Sequence, residues 1–169
     1  MTDIREEGIP VSNSSKLHDK IGNVKTNKKE LAKSAHENAD EFYIGAGIIF
    51  RDSFQLIQVV SVNMAFACEL YIKSMLYNYD IDFGKTHRIL ALYKLLPEDC
   101  QNKIKNTVQF QYARGDNFEL VLEEISDAFV FLRYAHERKT IVTDWSSLLA
   151  ITTAIMKVTK EIEEMLLQE

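Results

Sequence analysis

The chain has little of what interrupts a helix. Its 169 residues include only two prolines and six glycines, too few for a β-sandwich, which needs turn chemistry every ~8–12 residues. Two cysteines, Cys68 and Cys100, make neither a disulfide framework nor a zinc-ligand set. The opening MTDIREEGIP lacks the apolar core of a secretory leader. The longest apolar run centres on Met64–Leu76 but carries Asn63, Glu69 and Lys73, and is expected to fall short of a membrane span. An excess of positive charge is also missing. Acidic residues outnumber basic ones 25 to 20, for a net charge of −5, whereas a non-specific duplex-DNA binder usually presents a basic face. These absences point to a cytoplasmic helical protein with no membrane partner, in which any cationic surface is local.

What is present is enough for one domain with a real core: 46% of residues are apolar and 27% charged. Residues 1–26 hold Gly8, Pro10, Gly22 and the polar run VSNSSK, and are expected to form a flexible tail ahead of a bundle over residues 27–169. Lys16–Lys33 carries six lysines against Asp19 and Glu30. That stretch reads as a solvated lead-in or as a basic arm for an acidic partner.

Apolar spacing then predicts helix after helix. The first begins near Lys28 and carries Leu31, Ala35, Asn38, Phe42 and Ile49 near one face. Gly45 and Gly47 predict a bend or a close helix contact. A second helix, from about Ser53 to Asn78, is apolar almost all round and is therefore the expected central one. Val59, Val62, Phe66, Leu70 and Tyr77 form one side, and Met64, Ile72 and Met75 another. Within it, Cys68 reads as a small buried hydrophobe. After the loop DIDFGK, THRILALYKLL predicts a short crossing helix with Thr86 as N-cap. Pro97 suits the first turn of the next helix, where Glu98 and Asp99 complement the helix dipole. Phe118, Leu122, Ile125, Phe129, Leu132 and His136 recur at 4-3-4-3-4. Leu148, Ile151, Ile155, Val158, Ile162 and Met165 recur at 3-4-3-4-3, behind Asp144 as a cap. No segment alternates with period two for long enough to predict a strand. The fold class is all-α: an antiparallel bundle of about five long helices plus one short one.

The stretch DAFVFLRYAHERK ends one of these helices in charge. At ~100° per residue, His136 continues the Phe118–Leu132 stripe and Arg133 lies about 60° off it. Glu137 is four residues past Arg133, within reach of an i,i+4 pair. Glu69 is the one charged residue between Phe54 and Ile72, and Lys73 follows it at i+4. A charge at the edge of a core needs a partner, so Glu69 is expected to face Arg133 and Lys73 to face Glu137. The set is either a buried ionic lock or a polar pocket that takes a ligand. His87, at the start of the short helix, either packs there or joins that pocket.

Other signals lead elsewhere. GKTH at Gly84–His87 lacks the first glycine of a phosphate loop, because position 79 is Tyr79. His36 and Asp40 share a helix face, but no E-x-x-H pair accompanies them, so a solvated acidic face is expected, with no metal or other cofactor. No G-x-S-x-G elbow occurs. Trp145 reads as a packing anchor. Phe110 and Tyr112, beside Lys103, Lys105 and Arg114, suit either base stacking or ordinary packing.

Taken together, NMAFACELYIKSMLY, KTHRILALYKLLPED and AFVFLRYAHE resemble the HEPN domain family. The similar elements are A-x-E-L-x-x-K-x-x-L at Ala67–Leu76, an H-x-L-like helix start at His87–Leu90 with Ile89 in the apolar slot, and R-Y-x-x-E at Arg133–Glu137. The resemblance covers roughly Asn27 to Gln168. It implies a helical bundle that dimerises, often through the face carrying the polar motif, in prokaryotic defence or toxin–antitoxin systems. It also implies a possible partner protein from a neighbouring gene. Many members are metal-independent ribonucleases with an R-x4–6-H motif shared between two protomers. Others bind RNA or nucleotides, or act as scaffolds. Arg133 to His136 is R-x2-H, which departs from the catalytic spacing. The expected function is therefore a dimeric RNA- or nucleotide-binding module using Glu69, Lys73, His87, Arg133 and Glu137. The alternatives are a ribonuclease using Arg133 and His136 and a pure scaffold.

Overall fold

A computed structural model describes residues 27–109, 118–133, 145–166 and 168, apart from the side chains of residues 109, 127–133 and 145. Among these residues the chain is all-α, with six α-helices, one 3-10 turn and no strand. The helices are α1 (Lys28–Asp52), α2 (Ile57–Asn78), α3 (Ile89–Leu95), α4 (Glu98–Gln109), α5 (Phe118–Arg133) and α6 (Trp145–Leu166). The expected bundle is thus found, with α3 as its short crossing helix.

Helix α2 is the axis of the bundle, with α1, α3, α5 and α6 packed against it and α4 against α6. Its side at Met64, Ile72 and Met75 is buried, together with Val60, Ala67, Tyr71 and Leu76. Its other side departs from expectation. Val59 is exposed, and Val62, Phe66, Leu70 and Tyr77 are only half-buried. Against the expectation that the apolar run falls short of a membrane span, Phe54–Asn78 is long and apolar enough to cross one by length and composition, with half of its most apolar window buried inside the bundle. That suits a core helix equally well.

Helix α1 lies on α2 through Ala32, Ala35, Ala39 and Ala46, all buried, whereas Asn38 is exposed. Of the expected face, Ala35 is buried and Phe42 and Ile49 pack half-buried against the core, so the alanines admit the close approach and the larger residues flank it. Asn27 caps α1 by accepting from the Lys29 amide at 3.1 Å. The helix passes through Gly45 and Gly47 without interruption, and no described atom lies within 4 Å of where a Cβ would stand at either. Among the described residues the expected close helix contact is therefore not made at either glycine. The helix ends at Ser53, and the 3-10 turn Phe54–Leu56 leads into α2.

Asp80 and Gly84 take left-handed φ angles of 58° and 59° in the turn after α2. Asp82 accepts the Gly84 amide at 3.0 Å, and Thr86 Oγ1 accepts the Arg88 amide at 3.3 Å. Thr86 therefore organises the turn rather than capping the helix, whose N-cap is Arg88. Pro97 precedes α4, and its carbonyl accepts from Gln101 at 2.9 Å. On α6, Leu148, Ile151, Ile155, Val158 and Ile162 are buried as the spacing predicts. Met165 is 52% exposed and lies outside the core. Leu122 and Ile125 of α5 are buried and Phe118 half-buried. Phe129 and Leu132, Trp145, Asp144, Phe110, Tyr112 and Arg114 fall outside the described side chains.

Candidate functional site

Three of the residues singled out in the sequence meet at the surface of α2. Glu69 sits on the central helix where the turn 81–88 crosses it, and is only 2% exposed. A carboxylate this deep is costly unless charge and hydrogen bonds compensate. Lys73, one turn further along α2, donates from Nζ to Glu69 Oε1 at 2.7 Å. His87 reaches the same oxygen, with Nδ1 at 2.8 Å. Since an ionised carboxylate only accepts, Nδ1 is the donor, which places the proton on Nδ1 in the neutral ring. The 3.5 Å between Lys73 Nζ and His87 Nδ1 then separates two donors converging on Oε1 and is not a bond of its own.

Phe83 completes the arrangement. Its ring centroid lies 5.5 Å from Lys73 Nζ and 5.0 Å from the Tyr77 ring centroid, with the two rings edge to face. The Lys73 ammonium is thus enclosed by a carboxylate and an aromatic ring. The His87 side chain, by contrast, remains 69% exposed, and no described residue bonds Nε2. The buried carboxylate holds the ring by one nitrogen and leaves the other toward solvent. Beside it, Lys85 and Arg88 are exposed on the same short run. Arg88 pairs with Glu123 of α5, and Leu90 donates its amide to Ser126 Oγ at 3.0 Å. These bonds fasten the start of α3 to α5.

The remaining candidates stand apart from this cluster. Arg133 closes α5, but its side chain, like His136 and Glu137, lies outside the described residues. The expected Glu69–Arg133 and Lys73–Glu137 pairs fall there too. The two described partners of Glu69 come from its own helix and from the turn.

A second polar cluster was missed. His36 is not on a solvated face: it is 7% exposed, between α1, α2 and α6. Its Nε2 lies 3.6 Å from Asp40 Oδ2, and its Nδ1 lies 2.6 Å from Glu163 Oε2. The latter contact is not a hydrogen bond, and His36 Nδ1 has no hydrogen-bond partner among the described residues. Tyr71 donates to Asp40 Oδ1 at 2.5 Å, and Lys160 Nζ approaches Asp40 at 3.5 Å. Ser74 donates to the Ala32 carbonyl at 2.9 Å. The His36–Asp40 spacing was visible in the sequence, but their partners come from helices more than 30 residues away. Among the described residues no group of three or more His, Cys, Asp or Glu is placed to hold a metal ion.

Burial also sets the ionisation of the thiols. Removal from water raises Cys68 and Cys100 to about 12 each, so both are protonated and unreactive at neutral pH. Desolvation, then the bond to Asp40, raises Tyr71 as well.

Neither a comparison with curated proteins nor one with solved structures gives a match. A family model, the HEPN domain, matches residues 32–163. That span takes in all of α2 to α5, most of α1 and α6, and both polar clusters, and the chain belongs to the HEPN domain family.

Proposed function

We propose that this protein is a homodimeric module that binds RNA or nucleotides, in a prokaryotic defence or toxin–antitoxin setting, without the usual HEPN ribonuclease chemistry. The observation that carries the reading is the union of Glu69, Lys73 and His87 beside the exposed Lys85 and Arg88. A buried carboxylate held by Lys73 alone would already be charge-compensated. Its second bond goes to a solvent-facing imidazole, and fixes that ring on a run of three basic side chains within four positions. Phosphate oxygens are acceptors, and the Lys85 and Arg88 side chains meet them with charge-assisted hydrogen bonds, as His87 Nε2 does only when the ring carries its second proton. Phe83 and His87 add ring faces and edges next to those donors, which suits a base beside its phosphate. The cationic surface is local, in keeping with a net charge of −5.

The test is anisotropy of a labelled single-stranded RNA oligonucleotide in EDTA, titrated with wild type, Lys85→Ala and His87→Ala between ~50 and ~200 mM salt. Wild-type affinity is expected to fall with salt, with a log–log slope shallower by about 0.7 for each phosphate contact removed. Absence of binding at the lowest salt would leave the cluster as a lock between α2 and the turn 81–88. Cleavage of the oligonucleotide would replace the binding reading with the ribonuclease one.

A further inference from the structure

Glu69 does more than hold the His87 ring in place, because it also decides what the outer nitrogen offers a ligand. Its buried oxygen takes a bond from Nδ1 at 2.8 Å, and an ionised carboxylate only accepts. In the neutral ring the one proton therefore sits on Nδ1, and Nε2 carries a lone pair. Lys73 already meets the Glu69 charge at 2.7 Å, so charge balance in the cluster does not call for a second proton on the imidazole. The backbone that carries His87 is tied down as well. Asp82 accepts the Gly84 amide at 3.0 Å, and Thr86 accepts the Arg88 amide at 3.3 Å. The ring is held at one end and the chain on either side of it.

The outcome is a fixed acceptor set among donors. The His87 side chain is 69% exposed, and no described residue donates to Nε2. Among the described residues, the charged groups on the elements that meet there are Glu69 and Lys73 of α2, Asp82, Lys85 and Arg88 of the turn, and Glu123 of α5, which pairs with Arg88. A phosphate oxygen suits Lys85 and Arg88. It does not suit Nε2 of a neutral ring, because both are acceptors. A ligand that satisfies the whole run brings an anion with a hydrogen-bond donor beside it. In a ribonucleotide strand the 2′-hydroxyl stands next to the 3′-phosphate, and DNA lacks it.

We infer that His87 reads the ribose 2′-hydroxyl, accepting its hydrogen bond at Nε2 while Lys85 and Arg88 hold the neighbouring phosphate. Glu69 is the positioning residue, since it fixes the tautomer that presents the lone pair. This inference rests on the binding reading above and narrows it to ribose-bearing ligands.

Anisotropy of one single-stranded sequence, made as RNA, as 2′-fluoro RNA and as DNA, tests it in EDTA at about pH 8, where a free imidazole is neutral. Fluorine keeps the sugar pucker of RNA with little added bulk, but it cannot donate. Wild type is expected to bind RNA roughly three- to tenfold more tightly than the 2′-fluoro strand, the effect of one hydrogen bond. In His87→Ala that ratio should fall to about one, with the salt dependence from Lys85 and Arg88 retained. Glu69→Gln, which frees the tautomer, should shrink the ratio as well. At about pH 5.5 the second proton makes Nε2 a donor to phosphate in any strand, so the wild-type ratio should close while that of His87→Ala does not move. A change of ratio with pH is not what a merely structural Glu69 and His87 would give. Equal binding of all three strands by wild type at pH ~8 overturns the inference and spares the binding reading. An RNA preference that persists in His87→Ala, or one that does not respond to pH, overturns it too. Absence of binding to every strand overturns both.

Discussion

Glu69 Oε1 lies 2.8 Å from His87 Nδ1 and 2.7 Å from Lys73 Nζ, so a single buried oxygen joins the central helix to the turn that leads into α3. Removing the carboxylate strands a Lys73 side chain that is itself only 14% exposed. Glu69→Ala is expected to cost about 3 kcal/mol. Glu69→Gln should cost less, because its amide oxygen still accepts. His87→Ala should cost under about 1 kcal/mol, because that side chain is mostly in water. Urea unfolding of the three variants measures the order. Equal losses for Glu69→Ala and His87→Ala would contradict a carboxylate-centred cluster.

The second cluster makes a smaller claim. Tyr71→Phe leaves the buried ring in place and removes only the donor to Asp40, at an expected cost of about 1 kcal/mol. In an Asp40→Asn background the same change should cost measurably less, since the charge that strengthens the bond is gone. A double-mutant cycle by thermal unfolding reads that coupling. A coupling indistinguishable from zero would mean the 2.5 Å contact contributes nothing.

Burial of the thiols has a consequence at alkaline pH. Cys68 and Cys100 are raised to about 12 in the folded chain from an ordinary value near 9. Their contribution is therefore complete below about pH 9. Above it, the unfolded chain loses thiol protons that the folded chain keeps, and stability falls as pH rises toward 12. The slope approaches about 1.4 kcal/mol per pH unit for each thiol. Urea midpoints measured from pH 7 to 10 should bend downward near 9, and less steeply in Cys68→Ala/Cys100→Ala than in wild type.

Two glycines should respond to alanine in opposite directions. Gly84 sits at φ 59° in the turn that delivers His87, a conformation in which a Cβ is strained. Gly84→Ala is expected to lose about 1 kcal/mol. Gly45 is helical with no described atom within 4 Å of a Cβ, and Gly45→Ala is expected to gain up to about 1 kcal/mol. Circular dichroism melts of the two variants at low protein concentration make the comparison. Destabilisation by both would show that Gly45 is not in open space.

Much of the fold was legible because large apolar residues carry a strong periodic signal. Leu148–Ile162 on α6 and Leu122–Ile125 on α5 are buried where their spacing puts them. The all-round apolar character of α2 marked the central helix, and Glu69 and Lys73 stood out there as the charged exceptions. The misreadings share a cause. Ala32, Ala39 and Ala46 make the deepest contacts of α1 while Phe42 and Ile49 pack half-buried beside them, and Val59 and Met165 continue apolar patterns past the edge of the core. Periodicity reports which residues share a face, but not how far the neighbouring helix extends over it.

The sequence by itself determined the helices, the central place of α2, the family, and the short list of charged residues worth attention. An i,i+4 spacing and a helical repeat are local, and survive without knowledge of the neighbours. Only the tertiary structure decided which of those charges meet. His87 reaches Glu69 because the left-handed Asp80 and Gly84 turn the chain back across α2. His36 meets Glu163 because α1 and α6 flank the same helix. Electrostatic partnership depends on a few ångströms of separation, and those ångströms are set by loops and packing that no repeat in the sequence encodes.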